Sequence, residues 1–130
     1  MSTITGKKIL TIRGELTDLN TYINAERTNK YAGSAIKKDE TERVAWYCKA
    51  QKVGRLERSN VVIFHWYSKD HRKDFDNIEF AQKFIWDGLV SSGALVDDSQ
   101  KHTPSIRVHF HDVDAKDPRV EITVSDSLPL

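Results

Sequence analysis

Asn60-Val61-Val62-Ile63-Phe64-His65-Trp66-Tyr67 is the stretch on which the fold turns. β-branched and aromatic residues dominate it, the types that fit a pleated, half-buried surface. Such a run, set between polar neighbours, reads as a strand. It is nearly all apolar rather than alternating, which predicts a central strand covered on both faces.

Outward from it, the chain divides into further elements. Upstream, Ser34 to Lys52 reads as a long helix with Ile36, Val44, Ala45 and Cys48 as its apolar stripe and Gly54 as its stop. Asp39 and Glu42 would form a capping box if that helix began there. Lys8 to Leu16 alternates Ile9, Thr11 and Arg13 against Leu10, Ile12 and Gly14, a first strand. Thr17 to Arg27 opens on a capping residue and holds Leu19, Tyr22 and Ile23, a short helix or ordered loop. The basic stretch from Arg27 to Gly33 reads as a loop.

Downstream, a second helix is expected over Asn77 to Ser92, stopped by Gly93, with Ile78, Ala81, Ile85, Trp86 and Leu89 on one side. Ser105–Phe110 and Arg119–Val124 alternate as strands. The acidic loop between them (Asp112, Asp114, Asp117, Pro118) reads as a hairpin connection. The order β-α-β-α-β-β predicts an α+β domain with a small mixed β-sheet and two main helices.

The 130 residues suit one domain, 1–130, large enough for its own core. No apolar run approaches a membrane span and no signal-peptide pattern opens the chain, so a cytoplasmic location is expected. Cys48 is the only cysteine, which excludes intrachain disulfides and cysteine-built metal sites. Its place in an apolar stripe marks it as a small core residue. Net charge is only +1 but unevenly spread. Residues 26–58 hold nine Lys and Arg against five Asp and Glu, while residues 97–130 hold four against seven. A localised basic half suits DNA binding, and it equally suits a solvated helix face.

The chemistry-bearing residues are Asp74-Phe75-Asp76-Asn77, Lys83 and Asp97-Asp98. In extended backbone Asp74 and Asp76 would project to one face. Hard Mg²⁺ takes oxygen ligands, usually one or two carboxylates with water or phosphate. Lys83, seven residues beyond Asp76, would return to nearly the same side of the helix after two turns of about 3.6 residues. A metal-dependent nuclease is one reading. The other is that Asp76 or Asn77 caps a helix, Lys83 pairs with Asp87, and the remaining charges are surface. A helix over 77–92 would be about 24 Å long, whereas Gly93–Asp98 extends at most about 20 Å. Asp98 therefore reaches Asp76 of its own chain only if the backbone doubles back at Gly93, and otherwise meets those of a second copy. His109 and His111 share a strand face beside Asp112, but no recognised spacing supplies a third zinc or copper ligand, so exposed strand histidines are expected. There is no P-loop, G-x-S-x-G or H-E-x-x-H.

Asp74-Phe75-Asp76-Asn77, Gln82-Lys83, Asp87-Gly88-Leu89, Gly93 and Val96-Asp97-Asp98-Ser99-Gln100, in this order over about 27 residues, resemble the RusA-like Holliday junction resolvases of bacteriophages and prophages. The family pattern is D-x-D-N, a helical lysine, D-a-L, a glycine and D-D-x-Q; here three more residues separate the acidic pair from the lysine than in the founding member. The resemblance implies a RusA-like fold and a homodimeric crossover junction endodeoxyribonuclease. It implies a hydrolase that resolves four-way DNA junctions in recombination and repair, uses Mg²⁺ with Mn²⁺ able to substitute, and works in a bacterial host cell without an organic cofactor or a membrane. Carried over by position, Asp74, Asp76 and Asp98 would be catalytic metal-binding carboxylates, Lys83 the essential lysine and Asp97 an accessory. DNA contact would fall to Arg27, Lys30, Lys37, Lys38, Lys69, Arg72 and Lys73. The alternative is a non-catalytic branched-DNA-binding or phage replication-accessory protein.

Overall fold

The computed structural model describes residues 6–128. Its elements are β1 (Lys7–Arg13), α1 (Leu19–Thr28), α2 (Ala32–Ala50), β2 (Val61–Ser68), α3 (Phe75–Glu79), α4 (Gln82–Ser91), β3 (Ile106–Val113) and β4 (Arg119–Ser125). This is a mixed α+β fold whose four strands form one sheet in the order β1-β4-β2-β3. Among the described residues no helix is long and apolar enough to cross a membrane.

β2 lies inside the sheet, antiparallel to β4 and parallel to β3. The expected β3–β4 hairpin does not form. β4 instead inserts between β1 and β2, while β3 takes the other side of β2 as an outer strand. An apolar strand such as β2 has hydrogen-bonding groups on both sides that need partners away from water. Parallel pairing with β3 requires a long crossover, and α3 and α4 supply it.

The helices bury one face of this sheet. Val62, Phe64 and Trp66 of β2, Val120 and Ile122 of β4, and Leu10 and Ile12 of β1 join Val44 and Cys48 of α2 and Phe84, Ile85, Trp86 and Leu89 of α4 in one core. Cys48 is buried as expected, and burial pushes its thiol pKa up. α2 begins at Ala32, close to the expected Ser34 and well before Asp39, so Asp39 and Glu42 sit inside the helix and form no capping box. Between them Glu40, which is buried, accepts the Thr17 N–H at 2.7 Å. α1 is a true helix, capped by Asp18, whose carboxylate accepts the Thr21 N–H at 2.7 Å.

α2 and α4 cross closely at Gly88. A Cβ there would lie 2.5 Å from the Val44 Cβ and 3.1 Å from the Ala45 nitrogen. Val44 is fully buried and has no space to retreat into. Gly88→Ala should therefore destabilise the protein by about 1–3 kcal/mol in chemical denaturation, because overpacking outweighs the ~1 kcal/mol helix-propensity gain of alanine. A more stable variant would show that the helices separate freely.

Candidate active site

The D-F-D-N stretch follows β2 after a short loop. Phe75 stacks on His111 of β3 with centroids 4.2 Å apart and rings 11° from parallel. His111 is held in turn by Glu79, Nε2 to Oε2 2.6 Å. Asn77 accepts the backbone N–H of Asn20 at 2.9 Å, tying the segment to the start of α1. Phe75 and Asn77 are thus anchors, whereas Asp74 and Asp76 are exposed and their carboxylates have no hydrogen-bond or ion-pair partner among the described residues. The capping reading fails for Asp76 and Asn77, since the N-cap position of α3 belongs to Asp74, whose side chain makes no capping bond. The shared-face argument from extended backbone also needs correction. Asp74 is extended (φ −66°, ψ 153°), but Asp76 already lies in the helix.

The single helix expected over 77–92 is two. At Phe80–Ala81 the N–H groups of Ala81, Lys83 and Phe84 bond to carbonyls three residues back, those of Ile78, Phe80 and Ala81. Such tight turns advance more than 100° per residue, so unbroken-helix phasing does not relate Lys83 to Asp76. Lys83 is exposed at the start of α4 and forms no ion pair with Asp87. The Asp87 Oδ2 atom is buried without a partner among the described residues.

Asp97 and Asp98 follow the turn at Gly93 (φ 86°), which sends the Ala94 and Leu95 N–H groups back to the Leu89 carbonyl. The chain there stays beside the beginning of β2. Leu56, just upstream of β2, donates its N–H to the Ala94 carbonyl at 2.9 Å, and Leu95 and His102 line a small cavity with Leu56 and Val62. Asp74 and Asp76 lie past the other end of β2, whose eight residues span about 26 Å. Within one chain, therefore, Asp98 stands at the opposite end of the sheet from the acidic pair. Asp98 is exposed and unpartnered among the described residues. Asp97 is engaged locally by the Ser99 N–H at 3.0 Å and by His102 Nδ1 at 2.9 Å. Hydrogen bonds from Ser99, then His102, lower its carboxyl pKa to about 2.

The candidate DNA-contacting cations also separate. Arg27, Lys30, Lys37, Lys38, Lys69 and Arg72 are exposed. Lys73 is not a free cation, because its ammonium lies 2.9 Å from Asp18 and 3.5 Å from Glu15. Burial would raise the Asp18 pKa, but the Lys73 ammonium and the Thr21 N–H outweigh it and hold the carboxyl below its ordinary value. The same contacts raise Lys73 against its own burial. The sequence reading missed a groove of about 750 Å³ lined by Lys7, Lys8, Lys52, Arg55 and Arg58 together with Glu57 and Asp126. It opens where β1 begins and β4 ends, and the Lys and Arg cluster around Arg55 was its only trace in the sequence.

The strand histidines are more enclosed than expected. The His109 Nδ1 atom accepts the Trp66 indole N–H at 2.9 Å, and burial pushes its pKa down. His65 pairs with Asp112 at 2.6 Å and stacks on Tyr67. Among the described residues no three His, Cys, Asp or Glu side chains converge closely enough to hold a metal ion. No protein-family model and no curated protein matches the chain.

The Lys73–Asp18 pair has a testable energetic role. Lys73→Met leaves a largely buried carboxylate uncompensated and should cost about 1–3 kcal/mol of stability. A depressed carboxyl pKa contributes stability above its unfolded value and loses it as pH falls through the folded value. Against a reference of 3.8, denaturation midpoints measured below about pH 4 should converge for the two proteins. A constant gap across that range would assign the loss to something other than Asp18.

Proposed function

We propose that this chain is a RusA-like structure-selective endodeoxyribonuclease that acts as a homodimer on four-way DNA junctions with Mg²⁺. The observation that carries the reading is the alternation within D-F-D-N. Phe75 and Asn77 are fixed to β3 and α1, and between them two carboxylates are held out to solvent with no partner among the described residues. A segment so anchored, yet with its charges uncommitted, suits ligation better than capping. Two carboxylates are also the number that Mg²⁺ commonly takes from a protein alongside water and phosphate.

On this reading Asp74 and Asp76 would hold the ion, and Asp98 would complete the set from a second copy, since one chain keeps it at the far end of the sheet. Bound Mg²⁺ supplies Lewis acidity toward a phosphoryl oxygen and lowers the pKa of a coordinated water. Lys83, exposed at the start of α4, would offset charge that builds on the phosphoryl group. The groove lined by Lys7, Lys8, Lys52, Arg55 and Arg58 and the exposed cations Arg27, Lys30, Lys37, Lys38, Lys69 and Arg72 would neutralise phosphates along the arms, an attraction that weakens with salt.

Cleavage of a synthetic four-way junction, with linear duplex as control, tests this directly. Symmetric nicks that require Mg²⁺ and vanish in Asp76→Asn, with junction affinity kept or increased, are expected. Binding without cleavage in both Mg²⁺ and Mn²⁺ would instead establish the non-catalytic branched-DNA binder. The composite site has its own test. Asp76→Asn and Asp98→Asn proteins, each inactive, should regain nicking when mixed, because a mixed dimer holds one intact site, about a quarter of all sites under free exchange of a two-fold dimer. No recovery after demonstrated subunit exchange would place all the ligands within one chain.

A further inference from the structure

The two outer strands of the sheet are treated differently. β1 is closed off: Gln51 donates to the Thr11 carbonyl at 2.6 Å and accepts its N–H at 2.9 Å, and Arg43 donates to the Arg13 carbonyl. A side-chain amide thus occupies the place of a neighbouring strand. Among the described residues β3 has no such cover. Its Ile106 N–H turns inward to Asn60 at its start, and the Asp114 N–H, just beyond its end, turns inward to Ser68. By the two-residue period of a strand, Arg107, His109, His111 and Val113 turn their N–H and carbonyl groups outward. No partner meets these groups among the described residues. An eight-residue edge without proline, bulge or covering side chain is a template for another strand.

Apolar surface gathers on this edge. Of the eight large hydrophobic side chains exposed among the described residues, Ile106, Phe110 and Val113 lie on β3 and Phe75 is stacked against it. We infer that the occupant of the edge is a second copy of this chain, its β3 antiparallel to the first across a two-fold axis that passes at Val108. An axis normal to the sheet keeps each face on its own side, so only registers pairing odd with odd and even with even residues are allowed. Among these, the one centred on Val108 sets Ile106 against the second copy's Phe110 and Val108 against its own copy, an all-apolar row on one face. Centring on Phe110 sets Val108 against Asp112, and centring on His109 sets Ile106 against Asp112. The chosen register also makes the outward-facing Arg107 and His109 a hydrogen-bonded pair and Val108 a closely spaced non-bonded one.

The inference rests on the nuclease reading for its purpose, and it explains how that site is completed. Antiparallel pairing lays the segment before the second copy's β3, which carries Asp98, beside the end of the first β3. That is where Phe75, between Asp74 and Asp76, sits on His111.

Cysteine crosslinking in the full chain, without DNA or metal, tests the interface and its register. Cys48 is buried and stays out of the reaction. Oxidised Val108→Cys should run as a disulfide-linked dimer. Ile106→Cys and Phe110→Cys should each stay uncrosslinked alone, their own copies being about 13 Å apart along the strands, yet join when mixed. A monomeric Val108→Cys, or self-crosslinking of Phe110→Cys to the same extent, overturns the proposal, and the mixed pair decides it should Val108→Cys fail to fold. A crosslinked dimer that cuts no junction supports the interface and overturns the nuclease reading. Metal-dependent junction cleavage with neither crosslink overturns the interface alone.

Discussion

The parallel pairing of β2 with β3 governs the molecule. Two parallel neighbours cannot be joined by a tight turn, so the chain must travel back the length of β2 before β3 can begin. α3 and α4 make that return, and by making it they cover the sheet and supply much of its core. The same return carries the chain from Asp74 and Asp76 at one end of β2 to Asp97 and Asp98 at the other. Residues that lie close in sequence order as a motif are thereby set about a strand length apart, some 26 Å. The separation of the acidic residues is a consequence of topology, which no side-chain rearrangement reverses.

Local patterns in the chain were legible where one short-range rule dominated. β2 stands out by composition, and the apolar stripes of α2 and α4 by helical spacing, and each occurs within two residues of its expected limits except where α3 and α4 part. What was not legible depended on pairings between distant segments. The β3–β4 connection carries the composition of a hairpin turn, and nothing in it reveals that β4 has a better place between β1 and β2. The break at Phe80–Ala81 is likewise silent, because both residues are ordinary helix formers and only the bonds of Ala81, Lys83 and Phe84 to carbonyls three residues back record it. Lys73 read as a free cation because its partners, Glu15 and Asp18, lie more than fifty residues upstream.

The motif itself is better understood after folding than before. Spacing could not tell a ligand from a helix cap, since aspartate serves both purposes. What separates the two is the fate of the neighbours. Phe75 and Asn77 are fixed across different elements, one to β3 and one to α1, so the backbone carrying Asp74 and Asp76 is held from both sides. The held backbone fixes where both side chains begin, and neither carboxylate is committed to a partner among the described residues. The contrast with Asp97 is instructive, because its carboxylate is already occupied by Ser99 and His102 and shapes its own loop.

Charge placement bears on the proposed engagement of DNA. Asp74 and Asp76 put two negative charges at the exit of β2, and the nearest lysine in the chain, Lys73, is neutralised by Asp18 and Glu15. A phosphate brought to that spot meets repulsion unless a cation intervenes, and a divalent ion supplies the missing charge while using the carboxylates as ligands. On the nuclease proposal, attraction for the rest of the nucleic acid would come from elsewhere. The groove of Lys7, Lys8, Lys52, Arg55 and Arg58 lies at the opposite end of β2, where β1 begins. In a single copy these two sites are too far apart to serve one phosphate. Under the proposed function, binding and chemistry would therefore be largely separable on this surface: much of the affinity would come from cations remote from the carboxylates, and the carboxylates would act through an ion they held.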